Sequence, residues 1–270
     1  MDTREHLPSA DRLSIVTATI LLAYALSHYI QTPREALNLQ LPGFLLQLPL
    51  NLNTLIAFIA AALAAAGTDW LISSHPLIGT QRAAPHLFIP ALTAMVIGVP
   101  LSSLQMGFYW WAVFALGGLL LVLVMVAEYI TVDIDDHRHA FASVALTSVS
   151  FALYLILVIA THGAGLRLYL VLAAIIPTIG LVVLRTLNLR LGGKWSVPWA
   201  MGIALVIGQL GLGLFYLPLK PLSYGLLLTG SAYALTSIAG SIEEKKPWSG
   251  LWLEPAVMFA AMTILAWMFG

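Results

Sequence analysis

The sequence predicts an all-α protein, a polytopic bundle of transmembrane helices. Of its 270 residues, 60% are hydrophobic and only 9% are charged, whereas soluble domains usually carry about 25% charge. Mean hydropathy is +0.93. The apolar residues form continuous runs of roughly the 20 residues that a helix needs to cross a bilayer, not the alternating pattern of barrel strands. Because lipid offers no partner to an open backbone group, we interpret these runs as helices.

Nine apolar runs follow one another along the chain and define nine expected spans, with no linker that would divide them. We therefore expect one integral membrane domain that comprises residues 1–270. The expected spans are Leu13–Tyr29, Leu52–Ile72, Leu87–Leu104, Tyr109–Ile130, Phe141–Thr161, Leu168–Leu187, Val197–Leu217, Leu222–Ala239 and Leu251–Phe269.

The segment between the first two spans, Pro33 to Asn51, is less apolar than the spans. Between its first proline and its last residue, Asn51, it contains Gln40, Pro42, Gln47 and Pro49. We interpret it as an extended connection, part of which lies in the membrane interface. A longer second span that begins near Phe44 is the alternative.

Loop charges predict a cytoplasmic N-terminus and an external C-terminus, because cytoplasmic loops of membrane proteins are enriched in lysine and arginine. With this orientation, nine of the twelve basic residues lie inside and three lie outside. The inside set is Arg4, Arg12, Arg82, Arg138, Arg185, Arg190, Lys194, Lys245 and Lys246, and the outside set is Arg34, Arg167 and Lys220.

Small residues recur at helical spacing in several spans, which favours close helix packing within the bilayer. They are Ala57, Ala61 and Ala65 in the second span, Gly208, Gly211 and Gly213 in the seventh, and Gly225 and Gly230 in the eighth.

Five ionisable residues lie near the predicted cytoplasmic ends of the spans: Asp69, His86, Glu128, Arg185 and Glu254. Ionisable groups inside a membrane are costly, so each is a functional hypothesis by default. The five residues either line one polar vestibule or act as separate helix-end groups. We expect Glu128 to pair with Arg185, because its sequence neighbours are apolar.

The densest polar segment, which we call the acidic loop, is residues 133–139 between the fourth and fifth spans. Its carboxylates suit magnesium, calcium or manganese, and its imidazoles suit zinc, iron or copper. With Glu128, the residues Asp133, Asp135 and Asp136 are therefore candidate catalytic acids. His137 and His139 are candidate metal ligands. A solvated connecting loop is the alternative, because the spacing matches no strong metal motif.

These features favour a small transporter-like bundle or an accessory subunit of a membrane complex. The alternative is a membrane enzyme that acts on a lipid or isoprenoid through the acidic loop. We expect the lipid bilayer as surroundings, with a membrane-protein partner or a second copy as further possibilities. A net charge of zero gives no reason to expect nucleic acid. The absence of cysteine excludes thiolate chemistry and disulfides within the chain, and the sequence assigns no cofactor. The short loops favour a prokaryotic cytoplasmic membrane.

Overall fold

The computed structural model describes residues 8–27, 35–41, 44–50, 52–75, 84–247 and 252–269. Contacts within the chain group it into two compact units, Met1–Val132 (unit 1) and Asp133–Gly270 (unit 2). Among the basic residues used to orient the chain, Arg4, Arg34 and Arg82 lie outside the described residues. The orientation and the single membrane domain therefore stay predictions.

Unit 1 has four helices that correspond to the first four expected spans: α1 (Ala10–Ser27), α2 (Leu52–Ile72), α3 (Phe88–Ser103) and α4 (Phe108–Ile130). A short 3-10 helix, Ala84–Leu87, leads into α3. Helix α1 packs on α2 and α4, and α3 packs on both α2 and α4. The shared core includes Ile20, Leu121 and Met125, all fully buried.

A β-hairpin lies between α1 and α2, where we expected an extended connection. Its strands, β1 (Glu35–Leu41) and β2 (Phe44–Leu50), pair antiparallel. In the middle of the ladder the register pairs Leu37 with Leu48, Asn38 with Gln47, and Leu39 with Leu46. The segment is thus extended as expected, and the alternative span from Phe44 is wrong because α2 begins at Leu52.

Unit 2 has five helices, which correspond to the remaining expected spans: α5 (His139–Gly163), α6 (Leu168–Arg190), α7 (Val197–Phe215), α8 (Pro221–Glu243) and α9 (Leu253–Met268). Helix α8 is the centre of this unit, because it contacts α5, α6, α7 and α9. Helix α6 continues through Pro177 without a break.

The prediction of a polytopic helical bundle is confirmed. The described residues contain nine α-helices, and eight helical segments are long and apolar enough to cross a membrane, one of them being α3 together with the preceding 3-10 helix (Ala84–Ser103). The ninth, α9, has 16 residues, which gives about 24 Å at 1.5 Å per residue. That length is less than the roughly 30 Å of a bilayer core.

Three of the glycines singled out in the sequence, Gly208, Gly225 and Gly230, lie at close helix contacts in unit 2, whereas Gly213 has nothing within 4 Å. A Cβ at Gly208 would lie 2.8 Å from Ile176, and one at Gly230 would lie 2.7 Å from Met262. In α2 of unit 1 the buried small residues are instead Ala60 and Ala64. The expected face is therefore shifted by one residue.

Candidate functional site

Glu128 of α4 and His86 of the 3-10 helix form a buried pair in unit 1. The Glu128 Oε2 atom lies 2.9 Å from His86 Nδ1, and the two side chains are 0% and 9% exposed. Glu128 is buried because it follows an apolar run near the end of α4, and His86 is brought to it by the turn that starts α3. The sequence identified both residues but did not predict that they meet.

A hydroxyl contacts Glu128, and a second histidine packs on the neighbouring residue of α4. The Thr131 hydroxyl donates to the Glu128 backbone carbonyl at 2.9 Å and lies 3.4 Å from the carboxylate Oε2. The next residue of α4, Tyr129, makes a T-shaped ring contact with His75, with 4.7 Å between ring centroids. His75 is buried too. Both histidines are therefore enclosed by protein.

A buried carboxylate beside an imidazole has two low-energy forms. It is either a hydrogen-bonded neutral pair or an ion pair, and the two differ by the position of one proton. Removing one partner leaves the other desolvated, which is costly for a polar group and more so for a charge. The arrangement can thus hold a proton and pass it between two named atoms, His86 Nδ1 and Glu128 Oε2.

The other three vestibule candidates lie in different surroundings. Asp69 of α2 is exposed. Arg185 of α6 is 2% exposed and donates to Asn188 Oδ1 at 2.7 Å. Glu254, in the first turn of α9, accepts a hydrogen bond from the Tyr233 hydroxyl at 2.8 Å. The expected pair of Glu128 and Arg185 joins residues of different units and stays a prediction.

Local hydrogen bonds within unit 2 hold the acidic loop. The Asp135 backbone N–H donates to Asp133 Oδ1 at 3.0 Å, and the Arg138 backbone N–H donates to Asp136 Oδ1 at 2.8 Å. His139 Nδ1 lies 3.1 Å from the Asp133 backbone carbonyl. The carboxylates thus stabilise turns of the loop itself, which is how short polar side chains commonly order a connection.

The Asp136 carboxylate also binds the Arg138 guanidinium, with 3.1 Å between Oδ2 and Nη2. The side-chain hydrogen bond from Arg138 lowers the pKa of Asp136. The neighbouring His137 side chain is 78% exposed.

Across the described residues, no group of three or more His, Cys, Asp or Glu side chains has the arrangement of a metal site. The geometry therefore adds no support for His137 and His139 as metal ligands. That assignment, and the catalytic role of the loop acids, stay predictions.

A second charged group, which the sequence did not predict, lies at one end of unit 2. We call it the rim cluster: Arg190, Lys194, Glu243, Glu244 and Lys246. The Arg190 guanidinium binds both Glu244 oxygens and the Ser241 hydroxyl. Lys194 binds Glu243 at 2.6 Å. The Arg190–Glu244 and Lys194–Glu243 pairs join residues about 50 positions apart in the chain, and the packing of α6 on α8 brings them together.

The Arg190 side chain of the rim cluster packs closely on a glycine. A Cβ at Gly240 would lie 2.7 Å from Arg190 Nη1 and 2.9 Å from its Cδ. Hydrogen bonding by Arg190, with a smaller contribution from Lys246, lowers the pKa of Glu244 from 4.5 to about 2. This cluster is thus a structural contact between two helix ends.

Taken together, the long apolar helices define a multi-pass membrane protein that contacts lipid. Residues 32–269 match the family described as "Protein of unknown function (DUF5656)", and the chain belongs to this family. The match includes the hairpin and the helices α2–α9 and thus the Glu128–His86 pair. No curated protein and no solved structure is significantly similar to the chain.

Proposed function

We propose that the chain is a transporter-like membrane protein in which the Glu128–His86 pair binds and releases a proton. One observation carries this proposal: Glu128, in a helix of span length, is fully buried and lies 2.9 Å from an imidazole nitrogen. Carboxylate and histidine groups inside membrane helices mark ion pathways and proton relays. In the orientation predicted from loop charges, the pair lies near the cytoplasmic face of a prokaryotic cell membrane.

The roles of the two residues follow from their chemistry. Glu128 is the acceptor that gains a proton, and His86 is the neighbour whose ring nitrogen can donate or accept it. The Thr131 hydroxyl is a further polar neighbour of the carboxylate, 3.4 Å from Oε2. Gain or loss of a proton changes the net charge of the buried pair and therefore the free-energy cost of keeping it away from water. This change favours one packing arrangement of α3 and α4 over another.

The test is charge displacement after a pH jump, recorded from the reconstituted full chain on a solid-supported membrane. This assay needs no knowledge of the transported solute. We expect a transient current in the wild type that is absent from protein-free membranes. The conservative variant Glu128→Gln, which cannot ionise, is expected to lose most of this current.

The accessory-subunit hypothesis gives the opposite result. A chain that only supports a partner has no need of a titrating group, so it predicts no current in the wild type or an equal current in Glu128→Gln. Either result overturns the proposal.

A further inference from the structure

Unit 2 contains buried hydroxyl groups that its own side chains do not satisfy. Tyr154 of α5 is 0% exposed and Thr229 of α8 is 2% exposed. Neither hydroxyl has a hydrogen-bond partner among the described residues. A third buried polar atom without a hydrogen-bond partner among the described residues is the ring nitrogen Nδ1 of His162, near the end of α5.

These groups lie along the packing of α5 against α8. A Cβ at Gly163, where α5 ends, would lie 3.5 Å from Pro221, where α8 begins. Further along, Gly225 approaches Leu155 and Ile159 in the same way. The two helices are therefore antiparallel, with the end of one beside the start of the other.

The same packing places Tyr154 and Thr229 at one level. Thr229 is one turn beyond Gly225, which contacts Leu155, and one turn before Tyr233, whose ring contacts Phe151 at 5.3 Å. At 1.5 Å per residue, both residues lie about 12–14 Å from the ends of their helices near Gly163 and Pro221.

Polar groups continue from this level to the helix ends. The Tyr224 ring stacks on the His162 ring with 4.2 Å between centroids. The Tyr224 hydroxyl itself is satisfied, because it donates to the Gly211 carbonyl at 3.0 Å. His162 is half-buried, so its ring lies where the interior of unit 2 begins.

An unsatisfied buried hydroxyl destabilises the folded state, and native proteins commonly satisfy such a group with a buried water that makes about two to four hydrogen bonds. The available groups are two hydroxyls and an imidazole, which suit a small neutral molecule that both donates and accepts. We propose that unit 2 holds a buried hydration site between α5 and α8, in which water binds the hydroxyls of Tyr154 and Thr229 and reaches His162. The site is independent of the proposed function of Glu128.

Removing each hydroxyl tests the proposal, because the change in stability has opposite signs for an unsatisfied hydroxyl and for a water-bound one. Loss of an unsatisfied hydroxyl raises stability, and loss of a water-bound hydroxyl lowers it. We expect Tyr154→Phe and Thr229→Val each to lower the thermal unfolding midpoint of the full chain by about 2–4 °C. Thr236→Val is the matched control, because the buried Thr236 hydroxyl already donates to Ala232 within α8.

A second measurement detects the water directly. In solid-state NMR of the full chain in lipid bilayers, magnetisation transfer from water is expected to reach Tyr154 and Thr229 at short mixing times. The fully buried, apolar Leu228 serves as the control and is expected to receive none. Midpoints that rise in both hydroxyl variants, or an absence of water transfer to both residues, would overturn the proposal.

Discussion

The Glu128–His86 pair in unit 1 and the acidic loop in unit 2 hold their carboxylates in opposite ways. Glu128 is a single acid, fully buried beside an imidazole. The loop has three acids within four residues, but Asp135 is exposed and the others bind the loop's own backbone and Arg138. The comparison teaches that a high local density of acidic residues in a sequence does not identify the carboxylate that the fold buries away from water.

The physical reason is the dielectric surroundings of each site. Water and salt screen the charges of the loop acids, so their ionisation has little effect on the energies of other groups in unit 2. In the interior of unit 1 the effective dielectric constant is lower, so Coulomb interactions are several times stronger. A change of protonation there therefore changes the free energy of the folded state by more. We therefore expect the buried pair, and not the loop, to be the sensitive part of the molecule.

The largest expected effect is the loss of the buried partner. Glu128→Ala leaves the His86 ring without its carboxylate, and breaking a buried ionic pair in this way typically costs about 3–5 kcal/mol. Asp135→Ala is the matched control in the exposed loop, where surface substitutions stay within about 0.5 kcal/mol. The measurement is unfolding of the purified chain in detergent. Equal stability of the two variants would remove the contrast between the regions.

The rim cluster offers a second contrast, between two glycines of unit 2. Gly240→Ala forces Arg190 away from Glu244 and Ser241, and crowding of this kind costs about 1–3 kcal/mol. Gly202→Ala meets nothing within 4 Å, so the free energy of unfolding stays unchanged or rises by up to about 1 kcal/mol. The same unfolding assay compares them. A Gly240→Ala chain as stable as Gly202→Ala would show that Arg190 is not held at this position.

The pH dependence of stability sharpens the comparison at Glu244. The pKa of Glu244 is about 2 in the folded chain against an ordinary 4.5, so folding favours its ionised form. This stabilisation is complete above about pH 4.5 and is lost as the pH falls towards 2. We expect the wild type to lose more stability over this range than Glu244→Gln, as measured by thermal unfolding at each pH. Parallel curves for the two proteins would contradict this assignment.

The smallest expected effect lies in the acidic loop. Asp136→Asn keeps a side-chain oxygen for the Arg138 backbone and loses only a partly screened ion pair. We expect a change of less than about 1 kcal/mol in the free energy of unfolding. A larger loss would show that this loop is a structural centre and would weaken the contrast with Glu128.

Much of the fold follows from the sequence, because helices in lipid are defined by local runs of apolar residues. The second expected span, Leu52–Ile72, has the bounds of α2, and Leu168 begins α6 as expected. The β-hairpin was predicted only as extended chain. Its signal was present in the alternation of leucine and amide residues around Pro42-Gly43, but strand pairing depends on contacts between residues that are distant in sequence.

The candidate site was harder to predict, since a partner is chosen by packing and not by spacing. Glu128 and His86 are 42 residues apart, and they meet because α3, which directly follows the 3-10 helix with His86, packs on α4. Trp110 shows the same dependence on packing, because its ring is 1% exposed and its Nε1 donates to the Leu101 carbonyl. Tyr154 and Thr229 gave no sequence signal, because single hydroxyl residues are common in apolar helices.

The most direct test of the central claim compares the two regions in one functional assay. Charge displacement after a pH jump would be recorded for the wild type, for Glu128→Gln, and for a loop variant with Asp133→Asn, Asp135→Asn and Asp136→Asn together. Our account predicts that the loop variant keeps the wild-type current and that Glu128→Gln loses most of it. A current that survives in Glu128→Gln but disappears in the loop variant would contradict the account and favour chemistry at the acidic loop.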